Sequence, residues 1–273
     1  MGWNLVMAAA QALSIAIDPA AWTQVQRIEW PGESHRVEVV QPVAGMYRTG
    51  CGDLPAASPS GGQHSFRMGE YCEQLVVLID LSAGTSDPQL AEAFLARHEA
   101  FHVAAQMYGS KIPLEFLEIE PSLVERFAGS SAFQPLFAEV DALLAALDSG
   151  GELSCPALVG AYHALADDER RYLDYKMFWE WPAEFYAQQA TFGSDTASYR
   201  NFRSKLFNGG NEGFELFVAG VEAGLILDRA MGREAWQDAV AEGRSMFDLL
   251  LGATGCSSPE RGVRVRMKRV ELR

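Results

Sequence analysis

The chain has 273 residues, 48% apolar and 21% charged, enough for one large domain or two smaller ones around a cleft. A net charge of −14 excludes a general nucleic-acid binder, which needs a basic surface, and no run of eighteen apolar residues offers a membrane-spanning helix. The charge is uneven: residues 260–273 hold six Lys and Arg against Glu260 and Glu271, which leaves the rest at −18.

Residues 1–17 read as a signal peptide or a first helix. Leu5 to Ile17 is mostly apolar and Ser14-Ile15-Ala16 offers a small-x-small cleavage site, but residues 1–16 lack the usual basic start. Residues 18–109 read as a β-rich sub-domain. Trp22 to Trp30 alternates at period two, Arg36 to Val43 reads as a second strand, and Gly45 to Gly69 reads as turns and loop. Gln74 to Leu81 is the clearest strand, and Asp80 ends it. Ser86-Asp87-Pro88 then signals a helix start, no Gly or Pro interrupts Gln89 to Tyr108, and Gly109 supplies a stop. Residues 110–252 read as a helical sub-domain, with helices near 113–127, 133–148, 156–176, 182–192, 196–206, 213–230 and 233–251. The basic tail, 253–273, reads as a solvated edge strand or a loose end on an acidic body. The class is therefore α+β.

Cys51, Cys72, Cys155 and Cys256 form no Cys-x-x-Cys pair, which argues against a zinc ribbon. Their even number suits two disulfides, Cys51–Cys72 as the local pair and Cys155–Cys256 as the other. With the leader, this points to a secreted or periplasmic protein, the alternative being four thiols in the cytoplasm.

The chemistry concentrates in His98-Glu99-Ala100-Phe101-His102. Four residues apart on a helix, the two imidazoles share one face and can hold one metal ion. Glu99 projects beside them, placed to take a proton from metal-bound water and pass it to a leaving amine. A catalytic zinc wants a third protein ligand. Glu184 is our choice, in a helix that Pro182 opens, with Glu180 the main rival and Glu169 a weaker one. Gln188 is a candidate acceptor for a ligand histidine's second N–H. Tyr172, Tyr175, Phe178, Trp179, Trp181, Phe185 and Tyr186 read as packing between helices.

His98, Glu99 and His102 followed by Glu184 and Ala187 resemble the gluzincin branch of zinc metallopeptidases, over roughly residues 74–109 and 176–250. The resemblance implies a zincin-like fold: a small sheet, the motif helix, then a helical lobe. It implies Zn²⁺ held by His98, His102 and Glu184, with Glu99 as the base in peptide hydrolysis. It implies a peptide or protein substrate held by the strand Gln74–Leu81, while the charge and the apolar pattern argue for no nucleic acid and no stable membrane insertion. Phe217 stands where aminopeptidase-like members carry a tyrosine that steadies the oxyanion, so another donor must serve, and Tyr186, Tyr199 and Arg200 are the candidates. Losing such a donor typically costs about 10²–10³ in rate. Arg203, like Arg200, has a helix-surface role as its default. Two alternatives stand beside this reading. One is a deformylase-like site using Cys51 from Gly50-Cys51-Gly52. The other is a catalytically weak or inactive binding protein that keeps the zinc site.

Overall fold

The computed structural model describes residues 12–56, 65–80, 85, 87–151, 155–206, 213–256, 264–265 and 271–272. The strands of the N-terminal part are β1 (Leu13–Ile15), β2 (Val37–Val40), β3 (Pro42–Val43), β4 (Met46–Thr49), β5 (Gly52–Pro55), β6 (Ser65–Tyr71) and β7 (Gln74–Asp80). The main sheet has the order β1-β2-β7-β6, with β2 parallel to β7 and the other two pairings antiparallel. β7 is apolar along nearly its whole length because both its faces are covered. Leu75, Val77 and Ile79 join the core that includes Ala100 and Phe101. Val76 and Leu78 pack with Tyr47 and Leu54 of the second sheet, β3-β4-β5.

Two expectations fail in this half. Trp22 to Trp30 is not a strand: Thr23–Arg27 winds as a 3₁₀ helix. Tertiary contacts override the alternation, since Thr23 donates twice to Gln237 Oε1 and Trp22 packs edge-on to Phe101. Gly45 to Gly69 is not simply loop either, because β4, β5 and the start of β6 lie within it. These strands are too short to show a period, and tight turns join them. Ala44 and Gly45 both take positive φ between β3 and β4, and Cys72 and Glu73 do so between β6 and β7. That is the turn geometry matching the twist of paired strands.

The helices are α1 (Pro88–Phe101), α2 (Pro121–Phe127), α3 (Gln134–Asp148), α4 (Pro156–His163), α5 (Asp167–Phe192), α6 (Thr196–Arg203), α7 (Phe214–Met231), α8 (Arg233–Ala241) and α9 (Met246–Ala253). The class is α+β. The Asp87 side chain caps α1 by accepting from Leu90 N–H at 3.2 Å. After Phe101 the helix loosens into a π-helical stretch, His102–Tyr108, that ends at Gly109. Pro182 does not open a helix as expected; it lies inside the 26-residue α5. The expected helix 233–251 divides near Gly243, which takes φ +90°. α7 reaches α5 through glycines: a Cβ on Gly220 would stand 2.7 Å from Trp181, and one on Gly224 2.2 Å from Phe185.

One hydrophobic cluster runs from Val37 and Leu75 through Phe101 to Trp181 and Phe247, so the core crosses the boundary expected at residue 109. Cys51–Cys72 and Cys155–Cys256 are both disulfide-bonded, each with a Cα–Cα distance of 6.3 Å. In the basic tail, β9 (Arg264–Val265) pairs antiparallel with β8 (Ile112–Pro113), and Leu272 N–H donates to Glu70 O on the outer edge of β6. Residues 1–11 of the expected leader lie outside the described residues. Leu13–Ile15 is the edge strand β1, so cleavage after Ala16 would remove a strand of the sheet. Among the described residues no helix is long and apolar enough to cross a membrane.

Candidate metal centre

α1 and the π-helical stretch that continues it place His98 and His102 on one buried face, 4% and 6% exposed. Their Nε2 atoms stand 3.1 Å apart. The third partner is Glu180, not the expected Glu184. Glu180 Oε2 lies 3.2 Å from His98 Nε2 and 3.6 Å from His102 Nε2. Ligand atoms ~2.0–2.2 Å from a tetrahedral ion stand ~3.3–3.6 Å apart. At 3.1, 3.2 and 3.6 Å the three donors come close to that spacing, and this His-His-Glu group could hold a metal ion. Lys176, one turn back on α5, binds the other oxygen, Oε1, and leaves Oε2 as a single donor.

Glu184 lies one turn beyond Glu180 and approaches His98 from the opposite side. Its Oε2 is 2.9 Å from His98 Nδ1, an ion-pair contact bent away from a linear hydrogen bond. Its Oε1 accepts from Tyr199 OH at 2.7 Å and lies 3.0 Å from Arg203 Nε. Glu184 therefore holds the Nδ1 side of His98 and leaves Nε2 facing the cluster, the place of a partner to a ligand histidine. For His102 the same task falls to Gln106, whose Oε1 lies 2.5 Å from His102 Nδ1. Gln188, expected in this role, instead donates to Gly193 O at 2.8 Å.

The charges are balanced internally. Burial disfavours the charged form of His98, but Glu180 and then Glu184 outweigh it and push its pKa up to about 10. Burial also opposes ionisation of Glu180, yet Lys176 and the two histidines hold its carboxyl well below the usual range. Glu184 is held down too, against burial, by Arg203, His98 and Tyr199. Burial and the neighbouring Glu184 push the Tyr199 phenol far up, so it stays a donor. Glu99 goes the other way: burial raises its pKa, only partly offset by His102 and His98. A carboxylate raised in this manner is a better proton acceptor at neutral pH than an ordinary Glu.

No protein-family model, no curated protein and no solved structure matches the chain.

The remaining expected residues fall around the centre or away from it. Phe217 does stand beside it, its ring centroid 6.0 Å from that of His98 and 3.9 Å from the Arg203 guanidinium over its face. Trp179 flanks His102 at 6.2 Å. Arg203 is 4% exposed, not a surface residue. Tyr199 reaches the centre only through Glu184. Tyr186 stacks on Phe101 at 5.0 Å, and its hydroxyl accepts from Asp18 N–H at 3.1 Å. Arg200 pairs with Asp141 and Glu222. Glu169 caps α5 by accepting from Ala166 N–H at 2.8 Å. Cys51 is consumed by its disulfide, which takes the ligand from the deformylase-like alternative. β7, expected to hold substrate by main-chain pairing, is bonded on both edges, to β2 and to β6.

Sequence reasoning missed Lys176 and Gln106. Gln106 had a signal: it is the one polar residue between Val103 and Tyr108, one turn beyond His102. Lys176 had one in its spacing, four residues before Glu180, where a helix brings opposite charges together.

Proposed function

We propose that the chain is a zinc-dependent hydrolase, a metallopeptidase of zincin-like arrangement and gluzincin type, with His98, His102 and Glu180 as ligands and Glu99 as base. The observation that carries this reading is the triangle of donors at 3.1, 3.2 and 3.6 Å with a buried carboxylate of raised pKa beside it. Two imidazoles and one carboxylate oxygen suit zinc among the common ions. Zinc bound there supplies Lewis acidity toward a carbonyl oxygen and toward water.

The protein does the rest. Glu180 offers one oxygen because Lys176 occupies the other. Glu184 and Gln106 present the two Nε2 lone pairs inward. Glu99 takes the proton of the attacking water and returns it to the leaving amine. A groove of about 560 Å³ between residues 114–119 and the α5 face of Arg171, Asp174 and Tyr175 is the surface we assign to the substrate chain. Tyr175 of its lining lies 6.5 Å, ring to ring, from Trp179, which flanks His102. Two disulfides suit an exported protein.

A second reading, a metal-holding binding protein with little turnover, draws support from Phe217 and Tyr199. The first has no hydroxyl and the second spends its hydroxyl on Glu184. One experiment separates the two. Zinc-loaded protein and its Glu99→Gln variant are incubated with a peptide library, and the products are read by mass spectrometry. Products from the parent alone support the peptidase. Equal products from both forms remove it.

A further inference from the structure

A proline in the middle of a helix removes an N–H, and the carbonyl four residues earlier loses its donor. In α5 that carbonyl belongs to Phe178, opposite Pro182. It is not left unpaired. Gln106, 2% exposed in the π-helical stretch, donates its amide to Phe178 O at 3.2 Å and to Trp179 O at 2.9 Å. Both acceptors are carbonyls, which can only accept, so the NH₂ end of Gln106 must face them. Its oxygen must then face His102, 2.5 Å away, and can only receive a proton from Nδ1. With the proton on Nδ1, Nε2 carries the lone pair, and Nε2 is the atom 3.1 Å from His98 Nε2.

We infer that Pro182 and Gln106 are a matched pair of positioning residues: the proline exposes the acceptor that orients the Gln106 amide, and the amide fixes which nitrogen of His102 faces the metal. The proline is thereby part of the centre although it touches no ligand. Its helix-breaking character serves recognition between α5 and the π-helical stretch. The inference rests on the metal reading above and not on the hydrolase reading, so its test measures zinc affinity rather than turnover.

The test is zinc titration against a competing chelator for the parent, Pro182→Ala, Gln106→Ala, Gln106→Glu and the Gln106→Ala/Pro182→Ala double variant. Loss of a partner to a ligand histidine costs about 10–100-fold in affinity. Gln106→Ala is expected within that range. Pro182→Ala restores an N–H that competes for Phe178 O, so it should weaken zinc by about tenfold, the lower edge of that range, although alanine is the better helix former. The double variant should lose no more than Gln106→Ala alone. Gln106→Glu keeps an acceptor for Nδ1 but aims its second oxygen at two carbonyls, so it should also bind weakly. Nitrogen NMR of the zinc-loaded parent should show the His102 proton on Nδ1 and the metal on Nε2. The inference is overturned by undiminished affinity in Pro182→Ala, by losses that multiply in the double variant, by a tight-binding Gln106→Glu, or by Nδ1 coordination. Any of these in a parent that binds zinc fails the pairing alone; a parent that binds none fails the metal reading with it. If Pro182→Ala does not fold, the Gln106→Glu and NMR results still decide.

Discussion

Glu180 and Glu184 stand one turn apart on α5 and approach the same imidazole from its two nitrogens, yet their surroundings differ. Glu180 is partly open, with a side chain 15% exposed, and only Lys176 holds its other oxygen. Glu184 is 1% exposed and hemmed in by Tyr199 and Arg203. An ion needs a donor with a free lone pair and a coordination position that opens on a cleft. A ligand histidine needs a closed, already satisfied partner behind it. On the metal reading proposed above, the two carboxylates divide these tasks by environment, although their chemistry is the same.

The division can be tested from its largest consequence downward. Glu180→Ala removes a donor from the triangle, and calorimetric titration should show zinc affinity falling by more than the ~10–100-fold expected of an outer partner. Glu99→Gln should leave zinc affinity near the parent value while lowering peptide turnover by about 10²–10⁴, measured as kcat on any substrate found. Glu184→Gln should weaken zinc by only about 10–100-fold. If Glu184→Gln proved the more damaging of the two carboxylate changes, the assignment would reverse.

The pH dependence sharpens the same contrast. Without metal, His98 titrates near 10 in the fold, against about 6.5 unfolded. Its folded value is the higher one, so pairing with Glu180 and Glu184 stabilises the metal-free fold fully below about pH 6.5, and this is lost as pH rises through about 10. Zinc must displace that proton, so its apparent affinity should climb by about tenfold per pH unit and level off near pH 10. In Glu184→Gln one of the two carboxylates is gone, and the plateau should come at lower pH in chelator-competition titrations. The smallest effect is Tyr199→Phe, which deletes one hydrogen bond to Glu184. A melting curve should report about 1 kcal/mol, somewhat more for this charged acceptor, and zinc affinity should change by a few-fold.

Much of this was legible in the chain. The His98–His102 spacing, the Asp87-Pro88 start and the apolar run of β7 each follow from local rules, and the structure keeps all three. The disulfide pairing of Cys51 with Cys72 was readable because the cysteines are near in sequence and flank strands. Trp22 to Trp30 misled because a period of two carries no information about Gln237, more than two hundred residues away, which holds the segment in a 3₁₀ turn. Pro182 misled for a related reason. A proline reads as a helix start unless something else satisfies the carbonyl it orphans, and the residue that does so is on another helix.

The sequence by itself determined the α+β order, the motif helix and two imidazoles that share a face, since these depend on residues within a few positions of one another. It also narrowed the third donor to a handful of carboxylates. Only the tertiary structure put Glu180, and not Glu184, beside the two Nε2 atoms. Both lie on the same face of one helix, and the choice depends on what stands behind each of them: Lys176 and the opening on one side, Tyr199 and Arg203 on the other. Lys176 is local to Glu180, one turn back on α5, but Tyr199 and Arg203 arrive by packing of α6 against α5, and no local pattern encodes which carboxylate they enclose.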